Sequence, residues 1–240
     1  MVYYNENDPK AAAWLRELIK HGLIAQGEVD DRSIAEVQAA DLAGFSQCHF
    51  FAGIGGWSYA LRLADWPDNR RVWTGSCPCQ PYSVAGKRLG NADDRNLWPT
   101  WFRLIQECRP PMLFGEQVTG AIKYGWLDGV GRDLEGCGYA IGAAVLSASA
   151  VNAPHRRDRL WFVANTERDE QSREEPCSRK VRRVGRPQQS VPWDSPWPLA
   201  LALFRGLDDG LPRRVGATDA IRNAIVPQVA AEFIMAATNA

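Results

Sequence analysis

Short apolar runs alternate with amphipathic stretches along the chain, a pattern that predicts a mostly parallel sheet covered by helices on both faces. Val2–Tyr4 reads as a strand. Asp8-Pro9 then supplies the N-cap and first turn of a helix that buries Ala11, Trp14, Leu15, Leu18 and Ile19 and closes at Gly22. Ser33 to Leu42, with Ile34, Val37 and Leu42, predicts a second helical stretch. Cys48–Ala52 reads as a buried strand entering Gly53-Ile54-Gly55-Gly56, and a helix from Trp57 to Ala64 follows at once. Arg71–Thr74, Pro111–Gly115, Tyr139–Leu146 and Leu160–Ala164 read as further strands, and Trp98–Cys108 as a helix. From Asn165 to Ala220 the periodicity dissolves into polar, Arg- and Pro-rich sequence. Pro227–Ala237 returns as an apolar helix with Val229, Ala230, Phe233 and Ile234 facing inward.

The 240 residues suffice for one large α/β domain with a small module. Hydrophobic residues at 45% and charged residues at 23% fit an ordinary globular protein. No apolar run approaches the roughly 20 residues that span a bilayer. The opening residues lack the basic-then-apolar pattern of a secretory signal. The expectation is a cytoplasmic monomer without membrane attachment. Six cysteines include no CxxC pair, and three histidines complete no zinc set, so no metal is expected. Net charge is zero, but one cluster matters. Arg173, Arg179, Lys180, Arg182, Arg183 and Arg186 face only Glu174 and Glu175. The cluster reads equally as a solvated loop or as a phosphate-contacting segment.

Four places carry candidate chemistry. A strand, then Phe51-Ala52-Gly53-Ile54-Gly55-Gly56, then a helix brings backbone close to a ligand at a helix N-terminus. Alone, this turn fits a dinucleotide as well as a methionine-derived cofactor. Pro78-Cys79-Gln80-Pro81 follows the carboxyl end of a strand, where reacting groups collect in open α/β sheets. A lone cysteine is most often a buried apolar residue, and as a nucleophile it needs about 2 kcal/mol of help to ionise fully. Glu116 ends the strand Met112–Gly115 and reads as a crevice carboxylate or a surface one. Arg157 and Arg159, two apart ahead of Leu160–Val163, share one face of an extended segment.

Together these segments resemble the C5-cytosine DNA methyltransferases, whose fold is the Rossmann-like class I methyltransferase fold with a separate target-recognition region. Phe51–Gly56 is similar to their cofactor loop, and Cys77-Pro78-Cys79-Gln80-Pro81-Tyr82-Ser83 to their nucleophile motif. Phe114-Gly115-Glu116-Gln117-Val118 resembles the Glu-Asn-Val motif, and His155-Arg156-Arg157-Asp158-Arg159 the Gln-x-Arg-x-Arg motif. Asn223–Val229 resembles the closing motif, and Asp94–Leu97 matches the segment between nucleophile and glutamate.

Only 22 residues separate Gly56 from Cys79, too few for the two cofactor motifs that the family places there. Val2–Asp8 is similar to the missing ribose motif and Gly27-Glu28-Val29 to the missing adenine motif. The resemblance therefore implies a circular permutation that moves both ahead of the glycine loop. The alternative is an accessory N-terminal helix on a truncated core. The expected organisation is a catalytic and cofactor-binding domain over 1–164, divided into 1–47 and 48–164. A target-recognition region over 165–220 and a returning helix over 221–240 complete it.

The resemblance implies S-adenosylmethionine as cofactor and double-stranded DNA as partner. Cys79 would attack C6 of a flipped cytosine, Glu116 would hold N3, Arg159 would contact O2, and Arg157 would shape the pocket. Glu6, Asn7 and Glu28 would serve the ribose and adenine. Phe51, Ala52, Gly53, Ile54, Gly55, Gly56, Trp57, Pro78, Leu97, Asn223 and Ala224 would line the rest of the cofactor pocket. Gln80, Ser83, Arg179, Arg182, Arg183 and Arg186 would contact nucleic acid, whereas Trp193 and Trp197 suit packing or bases. Four positions depart from the family pattern: Gln117 for Asn, His155 for Gln, Asn7 for an aromatic, and Arg222 for Gly. Two rival readings stay open, an RNA cytosine-5 methyltransferase on the same framework and a non-catalytic cofactor- or DNA-binding relic. No restriction-endonuclease motif is visible, which implies a stand-alone methylase resembling those of restriction-modification systems.

Overall fold

The computed structural model describes residues 1–78, 96–151, 153, 157–166 and 224–238. Seven strands form one sheet: β1 (Val2–Asn5), β2 (Gly27–Asp30), β3 (Gln47–Phe50), β4 (Val72–Gly75), β5 (Met112–Val118), β6 (Ala140–Ser147) and β7 (Asp158–Asn165). Their order across the sheet is β2-β1-β3-β4-β5-β7-β6. The first five are mutually parallel, and β7 runs antiparallel to both β5 and β6. This is a Rossmann-like arrangement. The strand that feeds the glycine loop, β3, comes third along the chain yet lies between β1 and β4.

The helices are α1 (Pro9–Lys20), α2 (Gly56–Leu63), α3 (Trp98–Cys108), α4 (Trp126–Gly136) and α5 (Pro227–Thr238). α1 begins as its sequence predicts: the Asp8 carboxylate accepts from the backbone N–H of Lys10 and Ala11, filling two of the orphan donors of a first turn. Its stripe of Trp14, Leu15, Leu18 and Ile19 packs with Tyr4, Ile54 and Tyr59. α2 and α5 pack together on the same side of the sheet, where Trp57 and Phe233 meet Phe114 and Trp161. On the other side α3 and α4 bring Trp98, Trp101 and Trp126 against Phe50, Leu113 and Phe162. Removing each large side chain from water stabilises by about 1.5–3 kcal/mol, so these aromatic layers carry the sheet.

Two expectations change here. Ser33–Leu42 forms no α-helix; only the 3-10 turn Ala39–Leu42 forms, although Ile34, Val37 and Leu42 are all buried. The link has to carry the chain from β2 across β1 to β3, and an extended path covers that distance in fewer residues than a helix does. α4 was not expected, because Gly129 and Gly131 weaken it. Burial of Trp126, Val130 and Leu134 outweighs that cost of about 1 kcal/mol per glycine. The expected target-recognition region and its arginines lie outside the described residues, apart from Asn165 and Thr166. Among the described residues no helix is long and apolar enough to cross a membrane.

Candidate active site

At the carboxyl end of β3 the chain turns through Phe51–Gly55 into α2. Gly55 caps that helix at φ 82°, a left-handed conformation that a side chain would strain. The Gly53 N–H donates to Glu6 Oε2 at 2.7 Å, and the Asp8 N–H donates to Glu6 Oε1 at 2.9 Å. The carboxylate of Glu6 is thus fixed between the end of β1 and the glycine loop. Ala52, Ile54 and Trp57 are buried, and Phe51 is half-buried. Phe51 itself has φ 52°, a strained value for an aromatic residue.

Glu28 stands second in β2, paired with Tyr3 and exposed, two residues short of the carboxyl edge of the sheet. Asp30, level with Asn5, holds that edge. Its carboxylate accepts from Tyr3 Oη at 2.7 Å and from Arg32 Nη2 at 2.7 Å. Burial works against the Asp30 charge, but these hydrogen bonds outweigh it and hold its pKa down to about 2. Asn7 is exposed. Asp30 was not singled out from the sequence, where its place at the strand end, two residues before Arg32, was the available signal.

The second half of the site forms on β5 and β7. Glu116 pairs in register with Trp161, and Arg159 lies two residues away on the same face of β7. Arg159 Nε is 2.8 Å from Glu116 Oε1, an ion-pair distance reached off the ideal hydrogen-bond axis. Glu116 is only 6% exposed. Burial pushes its carboxyl above the usual range, against the pull of Arg159, Arg157 and the Ser76 hydroxyl. Arg157 also donates to the Ala224 carbonyl at 2.7 Å, tying this pocket to the segment that enters α5.

Gln117 is buried, where the family pattern has Asn. Its Nε2 donates to the Cys77 carbonyl at 3.3 Å and its Oε1 accepts from the Val118 N–H at 2.9 Å. It thereby clips β5 to the loop that leads through exposed Pro78 toward residue 79. Burial pushes the Cys77 thiol up, so that cysteine is an inert core group. Leu97 is half-buried at the start of α3. Cys79, Gln80, Ser83, His155, Arg222, Asn223 and the arginines 179, 182, 183 and 186 lie outside the described residues.

A buried Glu–Arg pair beside the loop of a candidate nucleophile, and a fixed carboxylate beside a glycine turn, are brought to one edge of one sheet. Residues 62–195 match the family model described as "C-5 cytosine-specific DNA methylase". Among curated relatives, the type II methyltransferase M.AplI of Arthrospira platensis is 31% identical over 104 residues, covering 42% of this chain and 29% of that protein. The type II methyltransferase M.NaeI of Lentzea aerocolonigenes is 28% identical over 162 residues, covering 66% of this chain and 33% of that protein. The chain thus spans about a third of the length of these two relatives. A methyltransferase structure from Entamoeba histolytica, EhMeth, matches with a TM-score of 0.48 at 16% identity, over 69% of this chain and 44% of that one. The family match covers more than half of the chain and runs through the strands of both Glu116 and Arg159: the chain belongs to the C-5 cytosine-specific DNA methylase family.

Proposed function

We propose that this chain is an S-adenosylmethionine-dependent DNA (cytosine-5)-methyltransferase with Cys79 as its nucleophile. The observation that carries the reading is the buried Glu116–Arg159 pair at 2.8 Å, on the sheet edge where the loop toward Cys79 departs.

Cytosine C5 is a poor nucleophile until something adds at C6. The Cys79 thiolate forms the S–C6 bond, and the C5–C6 π electrons move onto C5. Charge that spreads to N3 and O2 meets Glu116 and Arg159. Burial raises the Glu116 pKa, which favours its role as a proton donor toward N3. Once C5 has taken the methyl group that a bound cofactor would supply, loss of the C5 proton to a base restores the C5–C6 double bond and expels the Cys79 thiolate. Arg157, bound to the Ala224 carbonyl, holds the pocket wall. The base has to leave the duplex, which costs a few kcal/mol that these contacts offset.

The residues around the glycine turn fit S-adenosylmethionine. Glu6 presents a carboxylate already oriented by two backbone N–H groups, as a ribose diol requires. Gly53, left-handed at φ 54° with room where a side chain would stand, admits close approach of backbone to a ligand. When bound, the cofactor supplies an electrophilic methyl group. Phe51 to Trp57, Leu97, Asn223 and Ala224 are the proposed lining, and Asp30 takes the adenine-edge role in place of Glu28. We further propose a circular permutation, in which β1 and β2 carry the ribose and adenine groups ahead of the glycine loop. The place of β3 between β1 and β4 supports it.

The arginines from 173 to 186 would position a DNA backbone without specifying sequence. Transfer of labelled methyl groups to duplex DNA and to tRNA tests the reading. Label in DNA cytosine that is lost in Cys79→Ser supports it, and label confined to tRNA overturns the choice of polymer.

A further inference from the structure

Ser76 and Glu116 are neighbours across two parallel strands. Gly75 pairs with Gly115 in register, and each polar residue is the next one along. The two glycines face Trp101 and Phe162. Alternation therefore turns Ser76 and Glu116 to the opposite side, where α2 packs. There the Trp57 Nε1–H donates to Ser76 Oγ at 3.1 Å. An indole nitrogen only donates, so the serine accepts that bond and keeps its own proton for another acceptor. The strand register sets the Glu116 carboxylate beside that hydroxyl, which favours its charge against the cost of burial. One residue further, the Gln117 contact to the Cys77 carbonyl closes the same strand pair. Trp57 is itself clamped, buried among Phe114 and Trp161.

We propose that Trp57 and Ser76 form a hydrogen-bonded relay that positions the Glu116 carboxylate for the target base, making Ser76 a positioning residue of the reaction. Trp57 is the second residue of the helix that the glycine loop opens, so the relay links the cofactor loop to the base pocket. The inference rests on the function proposed above for what the carboxylate does, but its geometry is testable without turnover.

The test is a carbon-13 carboxyl NMR titration of Glu116, assigned with Glu116→Gln, in the wild-type chain, Ser76→Ala, Ser76→Thr and Trp57→Phe. Losing a hydrogen bond to a charged group raises the midpoint by about one pH unit in Ser76→Ala. Ser76→Thr, which keeps the hydroxyl, titrates with the wild type, and Trp57→Phe shifts in the same direction as Ser76→Ala. In methyl-transfer assays the pH limb governed by Glu116 moves by the same amount. An unchanged midpoint in Ser76→Ala, or an equal shift in Ser76→Thr, overturns the relay. If Ser76→Ala does not fold, Trp57→Phe decides, and an unshifted midpoint there overturns the relay. Absence of methyl transfer by the wild type would instead overturn the proposed function and leave the titration to decide the relay.

Discussion

Arg159 reaches back from β7 to bring its Nε within 2.8 Å of Glu116 Oε1 on the neighbouring strand. Both groups are largely withdrawn from water, so each charge depends on the other. Removing one partner of a buried pair costs about 3–5 kcal/mol, because the remaining charge is stranded. Arg159→Ala is expected to lower the denaturation midpoint and to lower methyl transfer by at least about 100-fold, since it removes both the pair and the proposed O2 contact. Glu116→Gln is expected to remove a comparable share of activity with a smaller loss of stability, because a neutral amide suffers less from burial. Parallel denaturant melts and single-turnover assays compare the two. Equal activity in wild type and Glu116→Gln would remove the carboxylate from the reaction.

The carboxylates at the other end of the site separate by position. Glu6→Ala is expected to weaken S-adenosylmethionine binding at least about tenfold, by loss of charge-assisted hydrogen bonds. Asp30→Asn is expected to weaken it by a smaller factor, whereas Glu28→Gln, away from the sheet edge, leaves it unchanged. Calorimetric titration of the three variants checks this order, and a weakening by Glu28→Gln that exceeds that of Asp30→Asn would reverse the assignment.

A Cβ added at Gly115 would fall 2.1 Å from the Phe162 ring, which is fully buried. Gly115→Ala therefore forces a core rearrangement that costs about 3 kcal/mol or more. Its urea midpoint should drop well below wild type, and a midpoint within error of wild type would contradict this packing.

Much of the fold was legible because local signals agreed. Asp8, Pro9 and Gly22 bound α1 as capping chemistry dictates, and Trp98–Cys108 is the predicted helix residue for residue. The pattern failed where tertiary packing outweighs propensity. α4 carries glycines but is held by Trp126, Val130 and Leu134, while Ser33–Leu42 buries its apolar residues without winding into a helix. Strand alternation accounts for the approach of Arg159 to Glu116. The place of Asp30 at the carboxyl end of β2 was not legible, because a motif match at Glu28 says nothing about which residue of a strand reaches the edge. Nor could spacing alone show that Gln117 holds Cys77 or that Ser76 meets Trp57, since both are contacts between strands or helices far apart in sequence.

His49 offers a check on the core. Its Nδ1 lies 2.7 Å from Thr74 Oγ1, and its Nε2 is buried with no hydrogen-bond partner among the described residues. Burial lowers its pKa to about 3. A depressed folded-state pKa contributes stability that is present above the unfolded value, near 6.5, and is lost as pH falls toward about 3. The melting temperature should therefore begin to decline below about pH 6.5. Nitrogen NMR should still show a neutral His49 ring at pH 5, and titration near the ordinary histidine value would contradict the buried assignment.

The most direct test reads cytosine methylation in DNA from methylation-deficient cells expressing either the wild-type chain or Cys79→Ser. Bisulfite sequencing should show protected cytosines at a short recurring site with the wild-type chain and none with the variant. An identical pattern of protected sites in both would show that the sulfur of Cys79 is not the attacking atom.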